Sequence, residues 1–354
     1  MNSSLISKYK PAIILTLALT VFLASCKGTS DDPVTTGPGP GAKSWVVSTL
    51  AGSAPAEKFN FPEGVAVDSS DNLYVADSAS NRIRKITSAG VGSTLAGSGT
   101  EEEFEFNPHG IAVDSSGNVY VADTRNHRIR KITSEGVVTT GVVTSTPVGE
   151  KQFYFPEGVA VDSSDNLYVA DTENNLIRKI TFTTANDVVT ATISTVAGDG
   201  TANFSDNDIA TAAQFDSPSG VAVDSSGENL YVADRGNNRI RKIAISSTGV
   251  VGAVSTLAGS TAGYKDATGT AAQFNLPIGV TVDSSGNIYV ADTVNYCIRK
   301  VVISTGEVTT FAGTADGAAA TAQFNRPSGV AVDSSGILYV ADNGNHNIWK
   351  IEYK

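Results

Sequence analysis

Histidine and cysteine are scarce in this sequence of 354 residues, which has three histidines and two cysteines. The patterns H-E-x-x-H and C-x-x-C are absent, as are a G-x-S-x-G segment and a Walker-type phosphate loop. These absences exclude the common motifs of zinc proteases, zinc ribbons, serine hydrolases and P-loop nucleotide-binding proteins. Whatever the chain does, it does not use one of those motifs.

Positive charge is also in short supply. The chain has 25 Lys and Arg residues against 36 Asp and Glu residues, which gives a formal net charge of −11. An acidic surface repels the phosphate backbones of DNA and RNA. The composition therefore argues against nucleic acid as a ligand.

Long apolar runs are missing except for residues 12–25, which follow Lys8 and Lys10 and end just before Cys26 in Leu-Ala-Ser-Cys. A short apolar run after a positive segment indicates an export signal. Its end resembles the bacterial lipobox, in which the chain is cut before the cysteine and the cysteine receives a lipid. We therefore predict a signal peptide over residues 1–25 and a membrane anchor at lipidated Cys26. An ordinary secretory peptide with a chance cysteine is the alternative.

Residues 26–43 are rich in Gly, Pro, Ser and Thr and predict a flexible tether. Lys27, where an aspartate would mark inner-membrane retention, resembles outer-membrane sorting. The Ser-Asp-Asp at 30–32 resembles an acidic signal for surface display. We expect an exported protein anchored to the outer membrane or cell surface, with one domain over residues 44–354. With Cys26 lipidated, no disulfide is expected.

One segment, GVAVDSSDNLYVADSASNRIRKI at 64–86, returns in five further copies with small changes. Each copy holds three short runs rich in Val, Ile and Tyr, separated by turn residues, which is typical of strands. The turn between the first two runs begins Asp-Ser-Ser and usually continues with Gly or Asp, which tolerate a positive φ. The copies lie near residues 59–87, 104–133, 153–181, 215–243, 274–302 and 324–352.

A fourth apolar run follows each of the first five copies, but the sixth copy ends with the chain. These runs lie at 91–97, 137–143, 193–198, 254–259 and 308–313. The missing run is WVVSTLAG at 45–52, ahead of the first copy. Repeated four-stranded antiparallel units predict an all-β fold, a β-propeller of six blades. The run at 45–52 would complete the last blade and remove the open sheet edges.

The pattern P-x-G-V-A-V-D-x-x-G-N-x-Y-V-A-D-x-x-N-x-R-I-x-K resembles the NHL repeat and covers almost the whole chain from residue 44 onward. The resemblance implies a six-bladed propeller, which agrees with the number of copies. It also implies an interaction platform, since NHL-like propellers mostly have that role. Six-bladed relatives include lactonases and an amidating lyase that hold a divalent metal in the central channel. Some animal relatives bind RNA, which conflicts with the acidic composition and the export signal.

The residue between Pro and Gly at the start of each copy should lie near the mouth of the central channel. We call these positions the slot residues: Glu63, His109, Glu157, Ser219, Ile278 and Ser328. The first three, on adjacent blades, could ligate a divalent cation. A hydrated polar rim without any cofactor is the alternative. The lyase resemblance would require histidines from several blades, and only His109 is at this level.

The loops that lead into the first run of each copy differ most among copies, and we expect function where the copies differ. Blades 1 to 3 have short loops that combine acidic residues with additional phenylalanines, and the turns between second and third runs add charges. The predicted ligand-binding face comprises Phe61, Glu63, Phe106, His109, Arg125, Phe155, Glu157, Glu173 and Arg235. An aromatic and acidic surface suits a protein or a glycan. A solvated face without a ligand is the alternative.

Positions shared by all copies should hold the fold. An aspartate ends the second run in every copy, and we expect it to cap a turn and pair between strands. His127 and His346 stand where other copies have Asn or Tyr, so we interpret them as repeat positions. The Asp-Asn-Asp at 206–208 lacks the spacing of a calcium loop and is expected to form a solvated turn.

Two functional hypotheses remain open. The first is a non-enzymatic, lipid-anchored, monomeric propeller that binds a protein or a glycan through its loops. The second is an enzyme, a metal-dependent lyase or a lactonase with its site at the channel mouth. Metal analysis of the purified protein separates the two.

Overall fold

The structure is a computed structural model that describes residues 45–51, 58–97, 108–139, 153–185, 188–246, 249–313 and 322–354. The predicted signal peptide, the tether and Cys26 lie outside these ranges. Within them, no helix is long and apolar enough to cross a membrane.

Six antiparallel sheets form the described part of the chain and confirm the predicted six-bladed, all-β propeller. Each copy of the repeat supplies three consecutive strands of one blade. The strands of blades 1 to 3 are β2 (Pro62–Val67), β3 (Leu73–Asp77), β4 (Arg82–Ile86), β5 (Gly92–Ala96), β6 (Pro108–Val113), β7 (Val119–Asp123), β8 (Arg128–Ile132), β9 (Pro156–Val161), β10 (Leu167–Asp171), β11 (Leu176–Ala185) and β12 (Val188–Ala197).

Blades 4 to 6 follow the same order, with β1 placed in the last blade and a two-residue strand, β17, added to blade 5. Their strands are β13 (Pro218–Val223), β14 (Asn229–Asp234), β15 (Arg239–Ile245), β16 (Val251–Gly259), β17 (Ala267–Thr268), β18 (Pro277–Val282), β19 (Asn287–Asp292), β20 (Cys297–Val302), β21 (Glu307–Ala312), β22 (Pro327–Val332), β23 (Leu338–Asp342), β24 (Asn347–Tyr353) and β1 (Trp45–Ala51).

The N-terminal strand closes the ring, as predicted. β1 pairs antiparallel with β24, in a register that runs from Trp45 opposite Tyr353 to Ala51 opposite Ile348. The Trp45 ring packs edge-on against Phe311 of blade 5, with 4.8 Å between ring centroids. Each innermost strand also contacts the next, and β22 contacts β2. The N-terminal strand thus completes the last blade as its fourth, outermost strand and joins the two ends of the ring.

The apolar runs form strands because each blade is covered on both faces by its neighbours. Every one of the six hydrophobic clusters draws its residues from two adjacent blades. The second strand, which lies in the middle, is buried along its whole length in blades 1, 2, 3 and 6. Stability is thus shared between neighbours around the ring.

The Asp-Ser-Ser turns are held by their first aspartate. In blade 1, Asp68 Oδ1 accepts hydrogen bonds from the backbone N–H groups of Ser70 and Asn72, each at 2.9 Å. Asp71 takes a φ of +60° where other copies have glycine, for example Gly117 at +80°. These values confirm the expected positive-φ position.

Blade 2 differs from the prediction. A fourth strand was expected at 137–143, but the described residues show only a single bridge between Val138 and Ile132, and residues 140–143 lie outside the described ranges. The β11–β12 hairpin of blade 3 is longer than predicted, at ten residues a strand. Its Phe182 packs near Tyr120 of blade 2, with 6.0 Å between ring centroids. Blade 3 therefore covers part of blade 2.

Candidate functional site

The loops that lead into the innermost strands share one side of the ring with the turns between second and third strands, because consecutive strands run antiparallel. We call this side the loop face. The turns between the first and second strands lie on the opposite side, as do those between the third and fourth. Eight of the nine residues of the predicted ligand-binding face belong to segments of the loop face, and the ninth, Phe106, lies outside the described residues.

The central channel is narrow. The six slot residues and the glycines that follow them line a cavity of about 60 Å³. Each of these glycines abuts a backbone carbonyl of the next blade: Gly64 faces that of His109, and Gly329 faces that of Glu63, which completes the circle. A Cβ at either glycine would collide with that carbonyl. The volume of this cavity is well below the roughly 300 Å³ of a small-molecule site.

Glu157 forms the strongest polar contact at the channel mouth. Arg235 Nη1 donates to both of its carboxylate oxygens, at 3.1 and 2.9 Å. Burial raises the pKa of Glu157 above its ordinary value, Arg235 opposes that shift, and nearby Glu173 adds to it. Two residues predicted from different blades, Glu157 and Arg235, are thus brought together as an ion pair.

Glu63 and His109 lie on the adjoining blades. Asn343 Nδ2 donates to Glu63 Oε1 at 2.8 Å. Burial raises the pKa of Glu63, with His109 opposing the shift. Burial lowers the pKa of His109, an effect that Glu63 opposes and that Arg235 and Arg125 reinforce. The predicted charged residues therefore form one electrostatic group around the mouth.

A metal centre receives no support from this arrangement. In the part of the chain that the structure describes, which includes Glu63, His109 and Glu157, no three His, Cys, Asp or Glu residues are grouped to hold a metal ion. Glu157 is instead neutralised by a guanidinium group.

Sequence reasoning missed Asn343, although a signal was present. The residue after the aspartate of the second strand donates a hydroxyl to the next blade's proline carbonyl at 2.5–2.8 Å in four blades, through Ser78, Thr124, Thr172 and Thr293. In blades 4 and 6 the slot residues Ser219 and Ser328 make this bond, at 3.3 and 3.2 Å. Arg235 and Asn343 stand in place of Ser or Thr in these two blades. Arg235 can therefore reach Glu157 of blade 3, and Asn343 can reach Glu63 of blade 1. A departure from Ser or Thr at this position was the available signal.

Aromatic residues flank the mouth at two blade junctions. Phe61, with a φ of +51°, is 47% exposed, and its ring packs edge-on against His346 with 4.5 Å between centroids. At the junction of blades 2 and 3, Phe155 packs on His127 in the same way, also at 4.5 Å. There Tyr154, 44% exposed, stacks on His127 at 5.0 Å.

His127 and His346 each accept a backbone N–H across a blade junction. Their Nδ1 atoms accept from Phe155 and Phe61, respectively, at 3.0 Å. Asn175 and Asn238 do the same with Oδ1 at the next junctions, at 2.9 Å. This equivalence confirms their interpretation as repeat positions.

Asp206, in the turn at 206–208, is exposed as expected but also makes an ion pair that the sequence did not predict. Its Oδ1 pairs with Arg241 Nη2 at 2.7 Å, while Asp234 pairs with Nη1 at 2.7 Å. The Arg241 side chain is fully buried, with the rings of Phe204 and Phe215 each 4.9 Å from its guanidinium carbon. A buried guanidinium requires such partners, which the long loop of blade 4 supplies.

Comparisons with known proteins agree with this architecture. The chain matches the NHL repeat over residues 59–86, 107–132, 153–180, 215–243, 274–301 and 324–351. NHL repeat-containing protein 2 of Gallus gallus is 42% identical over 96 residues, which cover 27% of this chain. That match spans only 12% of the relative's own length.

Solved structures share the fold at low identity. An auxiliary nutrient binding protein from Bacteroides thetaiotaomicron superimposes with a TM-score of 0.67 and 18% identity, over 88% of this chain and 77% of that one. A gluconolactonase from Xanthomonas campestris gives a TM-score of 0.61 and 14% identity, over 87% and 89%. At these identities the likeness concerns the fold alone.

Proposed function

Because this chain belongs to the NHL-repeat family of six-bladed propellers, we propose that it is a non-enzymatic binding platform at the cell envelope. A lipid on Cys26 would hold it to the membrane, and a protein or glycan would bind its loop face. The observation that carries this proposal is the location of the differences between blades. Among the described residues, the loop face combines exposed aromatic rings, at Phe61 and Tyr154, with charged slot residues that differ from blade to blade.

The charged residues at the mouth favour binding over catalysis. Glu157 has both oxygens held by Arg235, and Glu63 is held by Asn343, so neither carboxylate is set up as a metal ligand or as an unhindered base. The 60 Å³ cavity is also too small to enclose a lactone or similar substrate. A broad surface of rings and charges remains, which suits a polymer.

A binding role is compatible with this architecture elsewhere. The Bacteroides protein with this fold is described as an auxiliary nutrient binding protein. The apolar N-terminal run and Cys26 support the envelope location proposed for this chain.

The proposal is tested with the purified full chain on arrays of immobilised glycans and envelope proteins. Phe61→Leu/Phe155→Leu removes two rings, and leucine is tolerated at this positive φ because Leu276 holds the equivalent place at +50°. A matched control, Val91→Ser/Val137→Ser, alters exposed residues on the opposite side. We expect loss of binding of about tenfold or more in the first variant only. Equal binding by both variants would refute the loop face.

The enzyme hypothesis is tested by metal analysis of the same purified protein. Metal analysis should find no stoichiometric divalent ion in the wild-type protein. A stoichiometric metal that disappears in Glu63→Ala/His109→Ala would favour the lyase or lactonase instead.

A further inference from the structure

A second cavity lies at the junction of blades 6 and 1. Its volume is about 310 Å³, and it is lined by Lys58, Phe59, Asn60, Asn345 and His346. None of the slot residues lines it. It is at the lower end of the roughly 300–1,000 Å³ found for ligand cavities, which suits one small ring rather than an oligomer.

The hydrogen bond across the junction fixes the tautomer of His346. Its Nδ1 accepts the backbone N–H of Phe61 at 3.0 Å, so in the neutral ring the proton is on Nε2. The imidazole therefore offers the cavity a hydrogen-bond donor, and its position is set by the fold rather than by a ligand.

Asn345 offers the cavity a hydrogen-bond acceptor. Its Nδ2 donates to the backbone oxygen of Gln323 at 2.9 Å and to Asp342 Oδ2 at 2.7 Å. Both amide hydrogens are thus used, and Oδ1 is left as an acceptor. Among the described residues, neither the Lys58 ammonium nor the Asn60 side-chain amide has a hydrogen-bond partner. The lining therefore presents donors and acceptors together.

This mixture selects a class of ligand. An anion would require donors only, and a cation would require acceptors only, whereas a hydroxyl both donates and accepts. Beside the cavity, the exposed ring of Phe61 supplies an apolar surface for the C–H groups of a sugar. We propose that this cavity binds a single pyranose unit of a neutral glycan. The inference rests on the proposed binding function and narrows its ligand to a carbohydrate.

The chain contains a natural counterpart of this site at the junction of blades 2 and 3. There Tyr154 occupies the position of Asn60: both donate their backbone N–H to the aspartate of the second strand, at 2.7 and 2.6 Å. The Tyr154 ring stacks on His127, with 5.0 Å between centroids and 19° between planes. A tyrosine at position 60 should cover His346 in the same way without disturbing the backbone.

The test is a titration of the purified full chain with methyl glycosides of glucose, galactose, mannose and N-acetylglucosamine, followed by ligand-observed NMR. We expect at least one glycoside to bind with a Kd on the order of 1 mM, about the weak end of specific affinity. Asn60→Tyr should weaken it by about tenfold or more, and His346→Asn by roughly fivefold, because the shorter amide places its donor away from the position of the imidazole Nε2–H. Asparagine preserves the junction bond, as Asn175 and Asn238 show.

Asn275→Tyr is the matched control, because Asn275 holds the same position in blade 5 and donates its N–H to Asp292 at 2.7 Å. It should leave binding unchanged, and all variants should melt within a few degrees of the wild type. No glycoside binding up to roughly 100 mM, equal binding by Asn60→Tyr, or displacement by inorganic phosphate would each overturn the proposal. If the arrays still show a protein ligand in those cases, the platform function stands and only the sugar site fails.

Discussion

Blades 1 and 4 have equivalent strands, but the arginine that both have on the third strand has different partners in the two blades. In blade 4, Arg241 is fully buried and paired with two carboxylates, Asp234 and Asp206. In blade 1, Arg84 is 13% exposed and lies 3.9 Å from Asp77. The additional carboxylate comes from a loop insertion that blade 1 lacks. The long loop of blade 4 therefore acts as an internal clamp on Arg241.

Blade 5 repeats the clamp with different aromatic residues. Arg299 is fully buried, pairs with Asp292 at 2.9 Å and also contacts Asp266. The rings of Tyr264 and Phe274 lie 5.0 and 5.3 Å from its guanidinium carbon.

The loop carboxylates of blades 4 and 5, Asp206 and Asp266, thus pair with a buried arginine of their own blade. The charged slot residues of blades 1 to 3 lie instead at the channel mouth, where Arg235 of blade 4 joins them. Under the proposed function, the first group holds the scaffold and the second belongs to the binding face.

The largest expected effect is the loss of a clamp arginine. Arg241→Leu leaves Asp234 buried without its cation, which should lower the free energy of unfolding by about 3–5 kcal/mol. Arg84→Leu should cost about 1 kcal/mol, because the pair it breaks is longer and partly exposed. Denaturant midpoints of the two variants measure the difference. Similar losses in both would erase the distinction between the blades.

The loop carboxylate should matter less than the arginine it holds. Asp206→Asn removes one charge of the clamp but keeps Asp234, and Asp206 is 41% exposed, so we expect a loss of about 1–2 kcal/mol in the free energy of unfolding. Asp208→Asn, two residues away in the same turn, is the control and should change little. If Asp208→Asn lowers the free energy of unfolding as much as Asp206→Asn does, the turn stabilises the fold through its total negative charge and not through the contact with Arg241.

The junction histidines should be replaceable by asparagine. His127→Leu removes the acceptor of the Phe155 N–H and should cost about 1–2 kcal/mol in the free energy of unfolding. His127→Asn should stay within about 0.5 kcal/mol of the wild type, since blades 3 and 4 already use asparagine there. A penalty in the asparagine variant equal to that in the leucine variant would show that the imidazole ring, rather than the hydrogen bond, holds the junction.

The smallest expected effect concerns Glu63, one of the charged slot residues, and it depends on pH. The folded-state pKa of Glu63 is raised by burial above its ordinary value of 4.5. The stability this group contributes is therefore complete below about pH 4 and is lost as the pH rises through the folded pKa. Glu63→Gln should melt like the wild type near pH 4 and at a higher temperature near pH 8. Exposed Glu173→Gln is the control, and a gain that is the same at both pH values would contradict the assigned cause.

The repeat made the fold predictable from sequence. Six copies of one pattern gave the blades, and the missing sixth outer run identified Trp45–Ala51 as the strand that closes the ring. The positive-φ turns followed from Gly and Asp at one position. These features are local or periodic, and a single sequence contains that information.

The contacts of the candidate site were less accessible. Glu157 and Arg235 lie on neighbouring blades but are 78 residues apart in the chain. Nothing in the sequence around either residue identifies the other as its partner. The ion pair of Asp206 was not predicted because its partner, Arg241, lies 35 residues away and is polar by type but buried by position. Contacts across blades depend on ring geometry, which sets distances that sequence spacing does not contain.

The most direct test of a division between scaffold and binding sides measures melting temperature and array binding together on two variants. Phe61→Leu/Glu63→Ser gives blade 1 the residues found in other blades, and Asp206→Asn opens the clamp of blade 4. The account predicts a double dissociation: the first variant loses binding and melts no earlier than the wild type, and the second keeps binding and melts earlier. Loss of both properties in both variants, or binding that survives the blade 1 change, would contradict it.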